Sequence, residues 1–212
     1  MIPARVITVS DRCSAGLAED LSGPLAARLL AEHGVEASVT VIPDEVEAIR
    51  AAITSAAASG ARLVFTTGGT GLAPRDVTPE ATAPLLATRI DAPAAAIRRR
   101  REQTLASAAP SRGLVGVTAR SDVGTLVVNA PGSRGGVTDA VAVIGPLVAH
   151  IIDQLADGDH PRAWAHPFHA LLCVRGIREC VNPRPRGIVT ARPSYEATAR
   201  RARTPGWPTP RR

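Results

Sequence analysis

The fold is decided by one stretch, Leu63-Val64-Phe65-Thr66-Thr67-Gly68-Gly69-Thr70-Gly71. An apolar run of strand-forming residues passes directly into two threonines and three glycines. Glycine has no Cβ, so the chain can adopt a positive φ and a ligand can approach the backbone closely. Amides exposed in such a turn favour negative charge. The stretch therefore predicts a buried strand that ends in a phosphate-binding turn; the alternative is a tight turn that needs glycine for its geometry alone.

Short apolar runs alternate with alanine-rich helical patterns on both sides of this stretch. The predicted strands are 5–9, 37–42, 62–67, 114–119 and 125–129, and the predicted helices are 23–33, 45–59, 79–87, 90–107 and 137–156. This alternation predicts an α/β fold with three layers, α/β/α, around a mainly parallel sheet. The turn at 121–124 adds a hairpin. Ser22 and Thr78 are the predicted N-caps of two of the helices.

Charge divides the chain into two parts. Residues 1–160 contain 14 arginines and 17 acidic residues, whereas residues 161–212 contain 11 arginines and 2 acidic residues. We expect one domain over residues 1–158, followed by a Pro/Arg-rich basic tail over 159–212 that is largely disordered. Because the basic charge lies outside the domain, we expect no nucleic-acid binding by the domain itself.

The N-terminus leads straight into a predicted strand, without the pattern of a signal peptide. The longest apolar stretch, 137–152, is interrupted by Asp139, Pro146 and His150, and falls short of the roughly 18 residues of a membrane span. Three cysteines make no disulfide framework. We therefore expect a cytoplasmic protein that does not enter a membrane.

Ligands of open α/β sheets bind beyond the carboxyl ends of the strands. Three predicted strands end there in polar or glycine-rich turns, and we expect these turns to share one cleft. Ser133 and Arg134 suit an anion, whereas Ser10 and Asp11 suit a heterocycle or a sugar. The predicted binding residues are Ser10, Asp11, Thr67, Gly68, Gly69, Thr70, Gly71, Pro131, Gly132, Ser133 and Arg134.

Two acidic residues lie close to these turns in the sequence. Asp44 follows the second predicted strand, and Asp76 follows Gly71 by five residues. Two carboxylates beside a phosphate site would hold Mg²⁺ and neutralise a triphosphate. Each also has a purely structural interpretation, with Asp44 as a helix N-cap and Asp76 as a turn former. The sequence pattern alone leaves both interpretations open.

Considered together, these motifs resemble the molybdopterin adenylyltransferases of the MogA/MoaB type, which belong to molybdenum cofactor biosynthesis. The matching segments are Val9-Ser10-Asp11, 18–24 (AEDLSGP), Pro43-Asp44-Glu45, Thr66–Gly71, Arg75–Glu80 and Pro131-Gly132-Ser133. Their order and spacing agree over about residues 5–156. The chain departs from the family after Ser133, where Arg134-Gly135 replaces the proline and lysine or small residue that are common there.

The resemblance implies a Mg²⁺-dependent adenylylation of molybdopterin by ATP, with release of pyrophosphate. It also implies that Asp44 and Asp76 are the catalytic and metal-binding acids, and that Gly68–Gly71 and Ser133 hold pterin and phosphate groups. It further implies a homotrimer, with a MoeA-type enzyme as a downstream partner. The alternative within the same family is a non-catalytic molybdopterin-binding protein of the MoaB type.

Overall fold

The computed structural model describes residues 1–102 and 111–156. Over these ranges the chain forms an α/β domain in which helices cover both faces of one sheet, so the predicted fold class is confirmed. The predicted tail, 159–212, and the end of the predicted fourth helix, 103–107, lie outside the described residues.

The sheet is mostly parallel and contains the predicted hairpin. Its strands are β1 Ile2–Val9, β2 Val35–Ile42, β3 Leu63–Thr67, β4 Thr88–Arg89, β5 Val115–Val117 and β6 Leu126–Ala130. Their order across the sheet is β2-β1-β3-β6-β5-β4. β1 pairs in parallel with β2 and β3, and β3 pairs in parallel with β6. β5 pairs antiparallel with both β6 and β4, so it runs against the other strands described.

Two hydrophobic cores separate the layers. The helices are α1 Asp11–Ser14, α2 Gly23–Ala31, α3 Val46–Ala58, α4 Thr78–Thr82, α5 Asp91–Glu102 and α6 Arg134–Leu155. Side chains of α2, α5 and α6 pack on one face of the sheet, and those of α3 and α4 pack on the other. Successive strand residues point to opposite faces, so Phe65 enters the first core and Val64 the second. Every residue of β3 is buried, as its apolar run predicts.

Several local predictions are wrong. The predicted helix 79–87 ends as an α-helix at Thr82 and continues as a 3₁₀ turn over Ala83–Leu85. Pro84 explains the change, because it has no N–H to donate to the carbonyl of Glu80. The residue before α4 is Val77, so Thr78 lies inside the helix and does not cap it. The short elements α1 and β4 have no counterpart among the predicted elements.

The long helix α6 extends beyond the apolar stretch 137–152 at both ends, so, unlike that stretch, it has the length and composition of a membrane span, with a mean hydropathy of 1.6. It nevertheless packs onto the sheet, where Val137, Val141, Ile144 and Val148 are buried in the first core. A helix that lies in the core of a soluble domain has the same composition, so this helix is weak evidence for a membrane span.

A polar cluster is buried beneath the carboxyl ends of β3 and β6. Asn129 is only 2% exposed. Its Nδ2 donates to Thr66 Oγ1 at 2.9 Å and to Thr82 Oγ1 at 3.1 Å, and its Oδ1 accepts from the Leu114 amide at 3.3 Å. One side chain thus joins β6 to β3, to α4 and to the segment that leads into β5, and it satisfies polar groups that would otherwise be costly to bury.

Candidate functional site

The carboxyl ends of four parallel strands lie at the same edge of the sheet. Val9 of β1 pairs with Ile42 of β2, and Thr67 of β3 pairs with Ala130 of β6. The ends of these strands, the loops that follow them and the first residues of the next helices contain all the residues that the sequence predicts for binding or catalysis. This edge is therefore the candidate site.

The loop after β3, which we call the glycine loop (Gly68–Asp76), needs glycine at its first two positions. Gly68 and Gly69 have φ angles of +109° and +60°, a region that side chains with a Cβ rarely adopt. A Cβ on Gly68 would also collide with the carbonyl oxygen of Val9. Thr78 fastens the loop, because its Oγ1 donates to Gly68 O at 2.9 Å and its amide donates to Gly69 O at 3.0 Å.

Three successive amides of the glycine loop have no acceptor among the described residues. They are the backbone N–H groups of Gly69, Thr70 and Gly71. Three successive donors of this kind form a concave site for an anion. A phosphate-binding turn and a turn that needs glycine for its geometry are therefore compatible interpretations. The glycines permit the turn, and the turn leaves three amides without an acceptor.

The loop after β6, which we call the helix-entry loop (Pro131–Ser133), leads into α6 and contacts the glycine loop. Ser133 caps α6, because its Oγ accepts from the Gly136 amide at 3.1 Å. Thr67 Oγ1 donates to Pro131 O at 3.1 Å, and a Cβ on Gly132 would lie 3.1 Å from the Gly68 Cα. The two predicted anion loops therefore lie side by side at the same edge.

Asp44 and Asp11 hold the loops after β2 and β1 together. The Asp11 amide donates to Asp44 Oδ2 at 2.8 Å, and the Asp44 amide donates to Asp11 Oδ1 at 3.0 Å. The residue that precedes α3 is Glu45, so Asp44 is not the N-cap of that helix. Asp11 also accepts two hydrogen bonds from the guanidinium of Arg75, 2.9 Å from Nε to Oδ2 and 2.7 Å from Nη2 to Oδ1. These hydrogen bonds and the amide of Asp44 lower the pKa of the Asp11 carboxyl.

The carboxylates of Asp44 and Asp76 both lie close to glycines of the glycine loop. Asp44 Oδ1 lies 3.1 Å from the position that a Cβ on Gly69 would occupy, and Asp76 Oδ2 lies 2.7 Å from the equivalent position at Gly71. Burial raises the pKa of Asp44, and the negative charges of Asp11 and Asp76 raise it further. A carboxylate in this environment favours a neighbouring cation.

Both acids keep an oxygen available. Asp44 Oδ2 accepts from the Asp11 amide and Asp76 Oδ2 accepts from the Ala73 amide at 2.8 Å, whereas the Oδ1 atoms accept no hydrogen bond from a described residue. Within 1–102 and 111–156, no group of three His, Cys, Asp or Glu side chains is arranged to hold a metal ion. A pair of carboxylates fits Mg²⁺ nevertheless, because this ion commonly takes one or two carboxylates and completes its shell with water and substrate phosphates.

A cleft of about 320 Å³ opens beside these loops. Four of the predicted binding residues line it, namely Ser10, Thr67, Gly132 and Arg134, together with Cys13, Glu19 and Asp20. Asp11, Asp44 and Asp76 are not part of its lining. A larger cavity of about 850 Å³ lies beside β4, β5 and the end of α6, and contains none of the predicted site residues.

Asp20, in the loop between α1 and α2, takes over the role predicted for Ser22. Asp20 Oδ1 accepts from the amides of Ser22 and Gly23 at 3.0 and 2.9 Å, and Oδ2 accepts from Thr8 Oγ1 at 2.6 Å. The Ser22 side chain makes no capping hydrogen bond of its own. Burial raises the pKa of Asp20, but the donors from Gly23, Thr8 and Ser22 outweigh it and hold the pKa below its usual value.

Two arginines at this edge were missed at the level of sequence. Arg75 lies in a segment that matches the family, but the sequence pattern predicts no role for it, because its partner Asp11 lies 64 positions away. The pattern predicts no role for Arg112 either, because its partners lie more than 30 positions away in the sequence.

An α/β domain whose glycine-rich loops and acidic residues gather beyond the carboxyl ends of parallel strands has the architecture in which open α/β sheets place their ligand site. The particular family follows from comparison with known proteins. Residues 5–150 match the family described as a probable molybdopterin binding domain. The chain therefore belongs to this molybdopterin-binding family of molybdenum cofactor biosynthesis, and the resemblance seen in its motifs is confirmed.

Individual relatives agree with this assignment. The chain is 40% identical to a molybdenum cofactor biosynthesis bifunctional protein of Synechococcus elongatus, over 74% of this chain and 48% of that protein. It is 32% identical to a molybdopterin adenylyltransferase of Pyrococcus furiosus, over 69% of this chain and 87% of that protein. The crystal structure of a molybdopterin biosynthesis protein from Mycobacterium abscessus superposes with a TM-score of 0.67 at 41% identity, over 72% of this chain and 95% of that one.

The chain spans about half the length of the bifunctional relative, and a quarter or less of the molybdenum cofactor synthesis protein cinnamon of Drosophila melanogaster and the gephyrin of Dictyostelium discoideum. The shared part is the molybdopterin-binding domain, which the shorter Pyrococcus protein contains almost alone. A function for this chain can therefore be proposed only from that domain.

Proposed function

We propose that this protein transfers the adenylyl group of ATP to the terminal phosphate of molybdopterin. An oxygen of that phosphate attacks the α-phosphorus of ATP, a new P–O bond forms, the bond to the β-phosphate breaks, and pyrophosphate leaves. The observation that carries the proposal is the placement of Asp44 and Asp76 along the glycine loop, with the helix-entry loop in direct contact. This arrangement offers places for two phosphorylated molecules side by side.

The residues of the site fit a reaction that depends on alignment. A phosphate is already ionised and nucleophilic at neutral pH, so the reaction requires no activated serine, cysteine or histidine. The amides of Gly69, Thr70 and Gly71 would bind one phosphate group, and Arg134 with the Ser133 hydroxyl would bind another. Holding the reacting oxygen and phosphorus in line removes much of the entropic barrier to a bimolecular step.

Asp44 and Asp76 would hold Mg²⁺. When bound, the ion would supply positive charge to offset the negative charge of the departing pyrophosphate. Asp11 does not compete for it, because both of its oxygens accept hydrogen bonds from Arg75. Arg75 also compensates part of the negative charge that the three aspartates concentrate at this edge.

The test is the release of pyrophosphate from ATP in the presence of molybdopterin and Mg²⁺. We expect turnover by the wild type, and a loss of about a hundredfold or more in Asp44→Asn and Asp76→Asn. Asp153→Asn, at the exposed end of α6, removes the same charge far from the site and serves as the matched control. Full activity in the Asp76→Asn protein would exclude the assigned metal site.

Binding of molybdopterin separates the enzyme from a binding protein of the MoaB type. If the wild type binds molybdopterin tightly but releases no pyrophosphate, the non-catalytic alternative is correct. In an enzyme, we expect Asp76→Asn to retain most of its affinity for molybdopterin, because this acid acts on the metal and the nucleotide.

A further inference from the structure

Arg112, which precedes β5, makes hydrogen bonds along the whole glycine loop. Its Nε donates to Gly71 O at 2.7 Å and its Nη2 donates to Asp76 O at 2.6 Å. Its amide donates to Thr70 O at 2.9 Å, and its Nη1 is paired with a carboxylate oxygen of Glu80. One residue from a distant part of the chain therefore contacts the glycine loop at Thr70 and Gly71, at its last residue, and at the helix that follows.

The contacts of Arg112 bear on the orientation of Asp76. The segment from Ala73 to Asp76 closes on itself, because the Asp76 amide donates to Ala73 O and the Ala73 amide donates to Asp76 Oδ2, both at 2.8 Å. Leu72 joins this turn to Gly71 through the chain. The guanidinium of Arg112 adds a second link, since it binds the carbonyl groups of Gly71 and Asp76 at once.

The guanidinium is directed to the loop and to Glu80 instead of a ligand. The hydrogen bond from Arg112 lowers the pKa of Glu80, and the Glu80 carboxylate balances the positive charge of Arg112. The Nε and both Nη atoms already have partners. This distinguishes Arg112 from Arg134, which lines the cleft.

From this geometry we propose that Arg112 is a positioning residue, which sets the place of the Asp76 carboxylate by fastening the carbonyl groups of Gly71 and Asp76. Its effect on catalysis rests on the proposed function, but its effect on the loop does not. Lysine cannot replace it fully, because an ammonium group has no planar fork that can reach two carbonyl groups in fixed directions.

The experiment compares four variants in the full chain: Arg112→Ala, Arg112→Lys, Glu80→Gln and Arg28→Ala. Glu80→Gln removes the ion pair and leaves both carbonyl contacts of Arg112 intact. Arg28→Ala is the matched control, because Arg28 pairs with Glu32 on the exposed surface of α2, where the two side chains are 66% and 62% exposed. Two readouts are measured, hydrogen–deuterium exchange of residues 68–80 and pyrophosphate release as a function of Mg²⁺ and molybdopterin concentration.

We expect Arg112→Ala to speed exchange of the hydrogen-bonded amides of Ala73, Asp76 and Thr78 by about tenfold or more, with α2 and α3 unchanged. We also expect kcat to fall by about a hundredfold, with a higher Mg²⁺ concentration at half-maximal rate and an unchanged KM for molybdopterin. Arg112→Lys should lie between the alanine variant and the wild type. Glu80→Gln should change the rate less than about fivefold, and Arg28→Ala should match the wild type.

The outcomes separate this inference from the proposed function. If the wild type releases no pyrophosphate, the exchange rates still decide whether Arg112 positions the loop. Unchanged exchange and unchanged Mg²⁺ dependence in Arg112→Ala would overturn the inference, as would equal effects of Glu80→Gln and Arg112→Ala. If the alanine variant does not fold, Arg112→Lys gives the same decision, since wild-type exchange and Mg²⁺ dependence in that variant would contradict a role for the guanidinium fork.

Discussion

The glycine loop and the helix-entry loop follow neighbouring parallel strands, but they are held in different ways. The helix-entry loop is held mainly by local contacts, because Ser133 caps the helix that begins at the next residue. The glycine loop depends on positive φ angles and on side chains from elsewhere, namely Thr78 and Arg112. The comparison teaches that one loop can be fixed largely by the helix that it enters, whereas the other is a turn that distant residues must hold in place.

The largest expected difference between the loops comes from adding a single methyl group to each. Gly68→Ala should destabilise the fold by about 3 kcal/mol or more, because alanine strains a φ of +109° and its Cβ meets the backbone of Val9. Gly132→Ala should cost about 1 kcal/mol, since its Cβ needs only a slight shift from the Gly68 Cα at 3.1 Å. Urea denaturation of both variants measures this, and equal losses would show that the loops are equally constrained.

A hydroxyl group provides the next comparison. Thr78→Val should destabilise by about 2 kcal/mol, because the buried hydroxyl of Thr78 donates to Gly68 O and its removal leaves that carbonyl with one donor fewer. The matched control is Thr138→Val, in which an exposed hydroxyl that donates to Arg134 O is lost. Water can donate to the exposed Arg134 carbonyl in place of the lost hydroxyl, so the expected cost is below about 0.5 kcal/mol. Thermal unfolding of both proteins measures these losses of stability. A larger loss in Thr138→Val than in Thr78→Val would contradict the comparison.

These loops also show how much could be read from the sequence. The strand, the glycines and the position of the site follow from short patterns, because they depend on residues adjacent in the chain. The contacts of Arg112 with Gly71 and Asp76 and of Arg75 with Asp11 depend on how distant segments meet, and no local pattern encodes that. The sequence therefore predicts the place of the site better than the restraints that give it its shape.

Capping shows the same limit within a single loop. Ser22 directly precedes α2 and is a common N-cap residue type, which is why it was predicted. Asp20 reaches the same amides from two residues upstream, and Thr8 of β1 orients its carboxylate. The choice between the two side chains is made by a hydrogen bond from a different strand.

Asp20 yields a prediction with a defined pH dependence. Its pKa is lowered in the folded protein, so its contribution to stability is present above the usual value of 3.8 and is lost as the pH falls through the lowered pKa. At pH 6 we expect Asp20→Asn to destabilise by about 1–2 kcal/mol. Unfolding curves between pH 6 and pH 2 should show the wild type approaching the variant at low pH. A constant difference would mean that the charge of Asp20 is irrelevant.

Removing the charge of Asp44 should change the stability of the fold in the opposite direction, and by the smallest amount of the changes considered. Its pKa is raised by burial and by the neighbouring acids, so the folded protein favours the protonated form. Asp44→Asn should therefore stabilise the fold at pH 7, by less than about 1 kcal/mol because solvent screens a partly exposed group. The advantage should vanish below the usual value of 3.8 and grow as the pH rises through the raised pKa. A less stable Asp44→Asn protein at pH 7 would indicate that the carboxylate is structural.

The buried amide of Asn129 has a consequence for how this edge comes apart. It joins β6 to Thr66, Thr82 and the amide of Leu114, so the two strands that carry the loops are tied to each other and to α4. We therefore expect the two loops to open as a single foldon, so that their amides lose protection from hydrogen exchange together. This is expected although the helix-entry loop is held mainly by local contacts.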